Sequence, residues 1–198
     1  MEKKLKLIKP EKGDWGYLAR MKKKYLTYAV IEFAVVLAIF IAGLIIMKTK
    51  SSWFTIIAVV GCLPASKSLV EFIVIAPWRS ITRQQLDSLK ELTEEIPKIY
   101  DVLPVSREKI MSVPVLAVFD KHVYGYLNHP KADEERITQY LKEVLAKCTD
   151  ENLQIKMLED FTAFQARLEG LNNMAKIDRP DTFDIEEAMI REVLTVSF

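Results

Sequence analysis

Three charged residues, Glu32, Lys67 and Glu71, fall inside runs of sequence that are otherwise apolar. An ammonium near the middle of a bilayer costs about 2.5–3.5 kcal/mol on insertion scales, so a lysine there needs a counter-charge or a function. Lys67 lies eleven residues before Trp78, roughly 16 Å along a helix. Glu71 is its i,i+4 neighbour, and Glu32 belongs to the other apolar run. If both runs begin and end on one side, Glu32 and Glu71 share a depth and Lys67 lies one turn deeper. The expectation is a buried Glu32–Lys67–Glu71 cluster joining two helices. It would act as a structural lock, within one hairpin or between subunits. A pathway for a proton, ion or substrate through Lys67, and snorkelling without partners, are the other readings.

Lys67 sits in the stretch Gly61-Cys62-Leu63-Pro64-Ala65-Ser66-Lys67-Ser68. Pro64 removes one helix hydrogen bond and predicts a kink. Gly61, Ala65 and Ser66 are small enough for another helix to approach closely. Ser66 next to Lys67 is not a nucleophile–base pair, because adjacent helical residues point about 100° apart.

Elsewhere the chemistry is thin. His122 and His129 are the only histidines, and Asp120 with His122 is the one pairing that suggests a hydrolase or a metal site. Two residues do not make a ligand set, so neither a metal nor a cofactor is expected. Glu91, Glu94 and Glu95 read as a solvated helix face, and no glycine-rich phosphate loop is present. Cys62 and Cys148 have no metal or disulfide spacing, which fits reduced thiols.

Charge and hydropathy set the framework for these residues. Residues 1–78 hold 12 Lys+Arg against 5 Asp+Glu, and residues 79–198 hold 16 against 22. The basic part suits anionic lipid heads, and the acidic part argues against nucleic acid as a partner. Residues 1–24 read as a basic cytoplasmic leader, an ordinary positive flank, with interfacial resting of Trp15, Tyr17 and Leu18 as the alternative. Residues 25–47 and 53–77 each supply enough apolar length to span a core of roughly 30 Å, giving a transmembrane hairpin over 25–78. The first run is too long for a signal-peptide core. Nine Lys/Arg in the leader against Lys48 and Lys50 in the turn put both termini in the cytoplasm.

From residue 79 to 198 the pattern is that of an α/β domain in the order α-β-β-β-α-β-α-α. Leu86, Leu89, Leu92 and Ile96 predict a helix over 81–96. Strands are expected over 99–105, 113–119, 122–127 and 153–158, the second almost wholly apolar and therefore central. Ile137, Tyr140, Leu141, Val144 and Leu145 predict a helix over 133–147. Asp160 caps a helix through Leu171, 172–180 reads as a loop, and Asp184 with Glu187 suggests a capping box for a last helix.

Over residues 81–172 this order resembles the restriction-endonuclease-like fold. The resemblance implies a metal-dependent nuclease whose second strand carries an acid and whose third carries Glu-x-Lys. In this chain the third strand reads Tyr124-Gly125-Tyr126-Leu127-Asn128-His129, without Glu-x-Lys, and Asp120 is the only first acid available. The resemblance is therefore one of topology without the active site. The basic leader, Pro64-Ala65-Ser66-Lys67 and Val123-Tyr124-Gly125-Tyr126 together resemble uncharacterised small two-helix membrane proteins of Gram-positive bacteria, which imply a location and no activity.

The sequence thus predicts a multi-pass cell-membrane protein with a helical hairpin and a cytoplasmic α/β domain. It would serve as a non-catalytic interaction or regulatory subunit, partnered by the bilayer and by further copies or another membrane protein. The alternatives are a diverged nuclease or hydrolase using Asp120 and His122, and a small transporter component using Lys67.

Overall fold

Leu, Ala, Met, Lys and Arg make up about half of the residues after Gly16, all strong helix formers, and Gly43 alone weakens the run before the turn. In the computed structural model α1 accordingly spans Tyr17–Met47, beginning eight residues before the expected 25. The structure describes residues 11–47, 53–105, 110–129, 132–148, 153–177 and 182–198. The leader lysines Lys3 to Lys9 and the turn Lys48–Ser52 lie outside the described residues. α2 spans Trp53–Ile75 and runs through Pro64. Both helices are long and apolar enough to cross a membrane, and only 11% of each apolar window is buried.

The chain divides into two compact units, residues 18–77 and residues 11–17 with 78–198. Residues 11–17 therefore do not form part of a free leader. Trp15 packs on the core of the α/β unit and donates its indole N–H to Ile81 O at 2.9 Å. Tyr100 N–H donates to Gly13 O at 2.7 Å, and Gly16 N–H donates to Asp101 Oδ2 at 2.8 Å. Lys12 Nζ bonds Ser197 O. The segment is a strap along the edge strand, and Gly13 and Gly16, at φ 94 and 90, supply its left-handed turns. A Gly-x-x-Gly spacing around a tryptophan was the available signal.

In the α/β unit, α3 (Arg83–Leu92) starts with a Thr82/Gln85 capping box. It ends four residues earlier than expected, where the Thr93 hydroxyl bonds Leu89 O, and Pro97 disfavours helix at Ile96. The strands β1 (Lys98–Val102), β2 (Val113–Phe119), β3 (His122–Tyr126) and β4 (Gln154–Leu158) form one sheet in that order. The first two pairings are antiparallel; β3 and β4 run parallel, joined by α4 (Glu134–Leu145). Every residue of β2 is buried, as a central strand requires.

Two apolar layers sandwich the sheet. On one face Tyr100, Val115, Ala117, Tyr124 and Tyr126 meet α3 and α5 (Phe161–Ile177) through Leu89, Phe164 and Leu168. On the other, Leu116, Val118, Val123 and Met157 meet α4 and α6 (Phe183–Thr195) through Ile137, Leu141, Met189 and Val193. Tyr100 and Val102 lie in different layers although they are two residues apart. Asp101, at φ 52, breaks the strict alternation between them. Asp160 caps α5 as expected. The helix then continues past Leu171 through the expected loop, because buried Asn172 accepts Glu95 N–H at 2.9 Å and Ala175 joins the core. The expected Asp184 capping box is not formed; α6 starts at Phe183, ahead of it, and Thr182 donates its hydroxyl to Glu186 Oε1.

Two neighbouring groups on β1 titrate with opposite effect. Burial pushes the Lys98 ammonium down to about 8, so its cost in the fold is relieved as pH rises from 8 to 10.5. Burial pushes the Tyr100 phenol up to about 12, so its contribution is complete below pH 10 and is lost between pH 10 and 12. Among the described residues the Tyr100 hydroxyl has no hydrogen-bond partner. Tyr100→Phe is predicted to stabilise the protein by about 1 kcal/mol and to lessen the fall above pH 10, to which Tyr126, also raised by burial, still contributes. Denaturant midpoints across pH, read by tryptophan fluorescence in detergent, check this, and a lowered midpoint at neutral pH would refute it. Gly13→Ala should instead destabilise by about 1–2 kcal/mol in the same measurement. A Cβ there would stand 3.1 Å from Leu194 Cδ2 at a φ that disfavours alanine.

Candidate functional site

The polar residues within the apolar helices are placed by how α1 and α2 meet. A Cβ on Gly61 would lie 2.9 Å from Val36 Cγ2, so the helices touch where the side chain is missing. Ala29, Ala58 and Ala65 are buried. On α2, Ala58, Gly61 and Ala65 share a face at a spacing of three and four. Lys22 Nζ donates to Ala76 O at 2.7 Å near one end of the pair. These contacts define an antiparallel hairpin packed through small residues.

That register disassembles the expected three-membered cluster. Lys67 is two residues beyond Ala65, about 200° around the helix, so it points away from α1. Its side chain is 78% exposed, and its Nζ is 3.9 Å from Glu71 Oε1. Glu32 lies on α1 three residues from Ala29, close to the packed face, and its Oε2 is buried with no hydrogen-bond partner. With Val36 level with Gly61, Glu32 is level with Ala65, and Glu71 is about six residues, or roughly 9 Å, away along the axis. Glu32 and Glu71 therefore do not share a depth. The structure brings Lys67 and Glu71 together and leaves Glu32 apart from both.

Of the expected packing residues, Gly61 and Ala65 face α1, while Pro64 and Ser66 are exposed. Ser66 Oγ donates to Cys62 O at 2.7 Å, turning its hydroxyl back onto the helix. The feature missed in the sequence is a second face on α2. Val60, Pro64, Lys67, Glu71 and Val74 recur at intervals of four and three, the rhythm of a helix–helix seam. Val60 is 59% exposed and Val74 38%.

The α/β unit offers no comparable arrangement. Asp120 occupies the β2–β3 turn at φ 51, and its N–H donates to Glu186 Oε1 at 2.8 Å. His122 stacks on Tyr124 with ring centroids 6.3 Å apart. Arg167 Nε donates to the Tyr124 hydroxyl at 3.1 Å. Asp120 and His122 make no hydrogen bond or ion pair with each other among the described residues. Among the described residues no group of three or more His, Cys, Asp and Glu could hold a metal ion. His129 sits edge-on to Trp78 at 5.0 Å, and burial pushes the Cys148 thiol up, away from the reactive thiolate. A cavity of about 240 Å³ lies between Trp78, Met111, Ser112, Asp133 and Ile137. Its carboxylate, Asp133, is engaged as the N-cap of α4.

No family model, curated protein or solved structure matches this chain.

The geometry predicts which pairs of residues are coupled. In a double-mutant cycle, Lys67→Met and Glu32→Gln should have additive effects on hairpin stability. Lys67→Met and Glu71→Gln should couple by a few tenths of a kcal/mol or more. Thermal melts of the full chain in mild detergent, followed by circular dichroism, provide the energies. Coupling between Glu32 and Lys67 larger than that between Lys67 and Glu71 would contradict the register of α1 on α2.

Proposed function

We propose that this chain is an integral membrane protein acting as a non-catalytic interaction or regulatory subunit. Its hairpin crosses the bilayer twice, with both termini and the α/β unit on the cytoplasmic side. The observation that carries the reading is the outward Lys67, beside a partly buried Glu71, on a helix whose exposed surface is otherwise large and apolar. Ile56, Ile57, Val59, Val60, Leu63 and Val70 are each more than half exposed. Water would penalise that surface by about 25 cal/mol for each Å², whereas lipid accepts it. The core helix of a water-soluble protein would be largely buried, which neither apolar window is.

Lipid does not accept the charges equally well. Lys67 is eight residues before Ile75, roughly 12 Å from that helix end, beyond the comfortable reach of a snorkelling side chain. A contact of 3.9 Å to Glu71 is long for an ion pair meant to offset burial. A further helix laid on this face would remove both groups from lipid and supply the missing hydrogen bonds. The pair is therefore best read as part of a contact surface. The orientation follows from the Lys/Arg bias of residues 1–24.

Cysteine labelling tests the membrane placement. In a Cys62→Ser, Cys148→Ser background, Ser51→Cys should react with an impermeant maleimide added to intact cells. Ala146→Cys should react only after permeabilisation, and the protein should stay in the pellet after alkaline carbonate extraction. Release by carbonate, or labelling of both positions from the same side, would overturn the reading.

A further inference from the structure

α2 carries two faces with the same three–four rhythm. One, built on Ala58, Gly61 and Ala65, is taken by α1. The other holds Val60, Pro64, Lys67, Glu71 and Val74, of which Val60, Pro64 and Lys67 are well exposed while Glu71 is partly buried beside Lys67. We infer that this second face binds the same face of a second copy, forming a two-fold dimer in which Lys67 of each chain pairs with Glu71 of the other. The inference rests on the membrane placement proposed above and supplies its partner.

Three observations select a second copy over another protein. Copies inserted by the same charge bias have the same orientation, so their α2 helices are parallel and a two-fold axis along the membrane normal relates them. Residues of equal depth then meet across the axis. Lys67 and Glu71 are one turn apart and differ by only about 40° around the helix. Each lysine thus lies one turn from the partner's glutamate, within reach of its flexible stem. The face is neutral and contains its own complement: two lysines and two glutamates alternate around the axis. A face with two like charges could not pair with itself, and a face with one charge would require a different partner.

The spacing supports the same arrangement. Intervals of four and three keep a continuous stripe turned toward a neighbouring helix, with Val60 and Val74 as apolar layers on either side of the charges. Within this low-dielectric contact the cross-pairs are strengthened, and each carboxylate gains a second donor.

The test uses two differently tagged full-length copies expressed together and captured through one tag in mild detergent. Wild-type copies should co-purify. Lys67→Glu in both copies, or Glu71→Lys in both, should lower capture at least about tenfold, since each gathers four like charges within one helical turn of the seam. Combining a Lys67→Glu copy with a Glu71→Lys copy should restore capture, and so should the double exchange in every copy. Restoration by mixing shows that both variants insert and fold, and an ion pair confined to one chain cannot produce it. Single variants that co-purify as well as wild type, or a mixture that fails to recover, would overturn the inference. Wild-type copies that do not capture each other, while a different membrane protein co-purifies stoichiometrically, would remove the dimer and leave the interaction-subunit reading in place. A strictly monomeric protein with no partner would remove both.

Discussion

The arrangement of residues 18–77 depends on one close approach, Gly61 of α2 against Val36 of α1. Helices approach within lipid because small side chains let their backbones come near and gain dispersion contacts over a long line. Once Gly61 and Ala65 are committed to that line, rotation about the α2 axis is fixed. Every other position on α2 then has an assigned direction. Lys67 is turned outward by this choice and not by any preference of its own, with Glu71 partly buried beside it.

In the α/β unit a different constraint plays the equivalent part. Asp101 adopts a left-handed backbone in mid-strand, and its carboxylate accepts the Gly16 amide. A non-glycine residue in that region carries a conformational cost of order 1 kcal/mol, sustained where the surroundings determine it. The strap over residues 11–17 and the sheet determine it together. The edge strand β1, which would otherwise present unpaired backbone groups, is partly covered by the strap through the Tyr100–Gly13 bond. At its other end the stretch after β1 is covered by the chain terminus, where Val105 N–H donates to Val196 O and Phe198 N–H to Leu103 O. Both ends of the described chain thus contribute to closing one side of the sheet.

What the sequence revealed divides by period. The α/β order was legible because helices and strands write their burial into short, local patterns: the all-apolar β2, and the Ile137–Leu141–Val144–Leu145 face of α4. The two apolar helices were legible from length and composition. The strap was not, because its contacts are long-range and its local signal is two glycines. The run of α5 through 172–177 was hidden for the same reason: Asn172 reads as a helix breaker until its tertiary partner, the Glu95 amide, is known. The expected Glu32–Lys67–Glu71 cluster failed on a missing coordinate. Rise along the helix placed the three together from assumed helix ends, whereas the Val36–Gly61 register sets Glu32 about six residues from the level of Glu71. Angle around the helix was also available, since Lys67 stands two residues from Ala65, and it puts the lysine on the far side.

That angle changes the meaning of the two glutamates. Glu32 lies close to the α1–α2 contact with an oxygen buried and unbonded, a position where a carboxylate weakens the packing around it. Glu71 is partly buried and lies beside the exposed cation of Lys67. If the charges served only to hold one hairpin together, the carboxylate nearest the contact would be the one that met the lysine. The lysine instead stands exposed on the far side of α2, one turn from a partly buried Glu71 and in the rhythm of a seam. An i,i+4 pair so placed contributes only a few tenths of a kcal/mol to the helix that carries it.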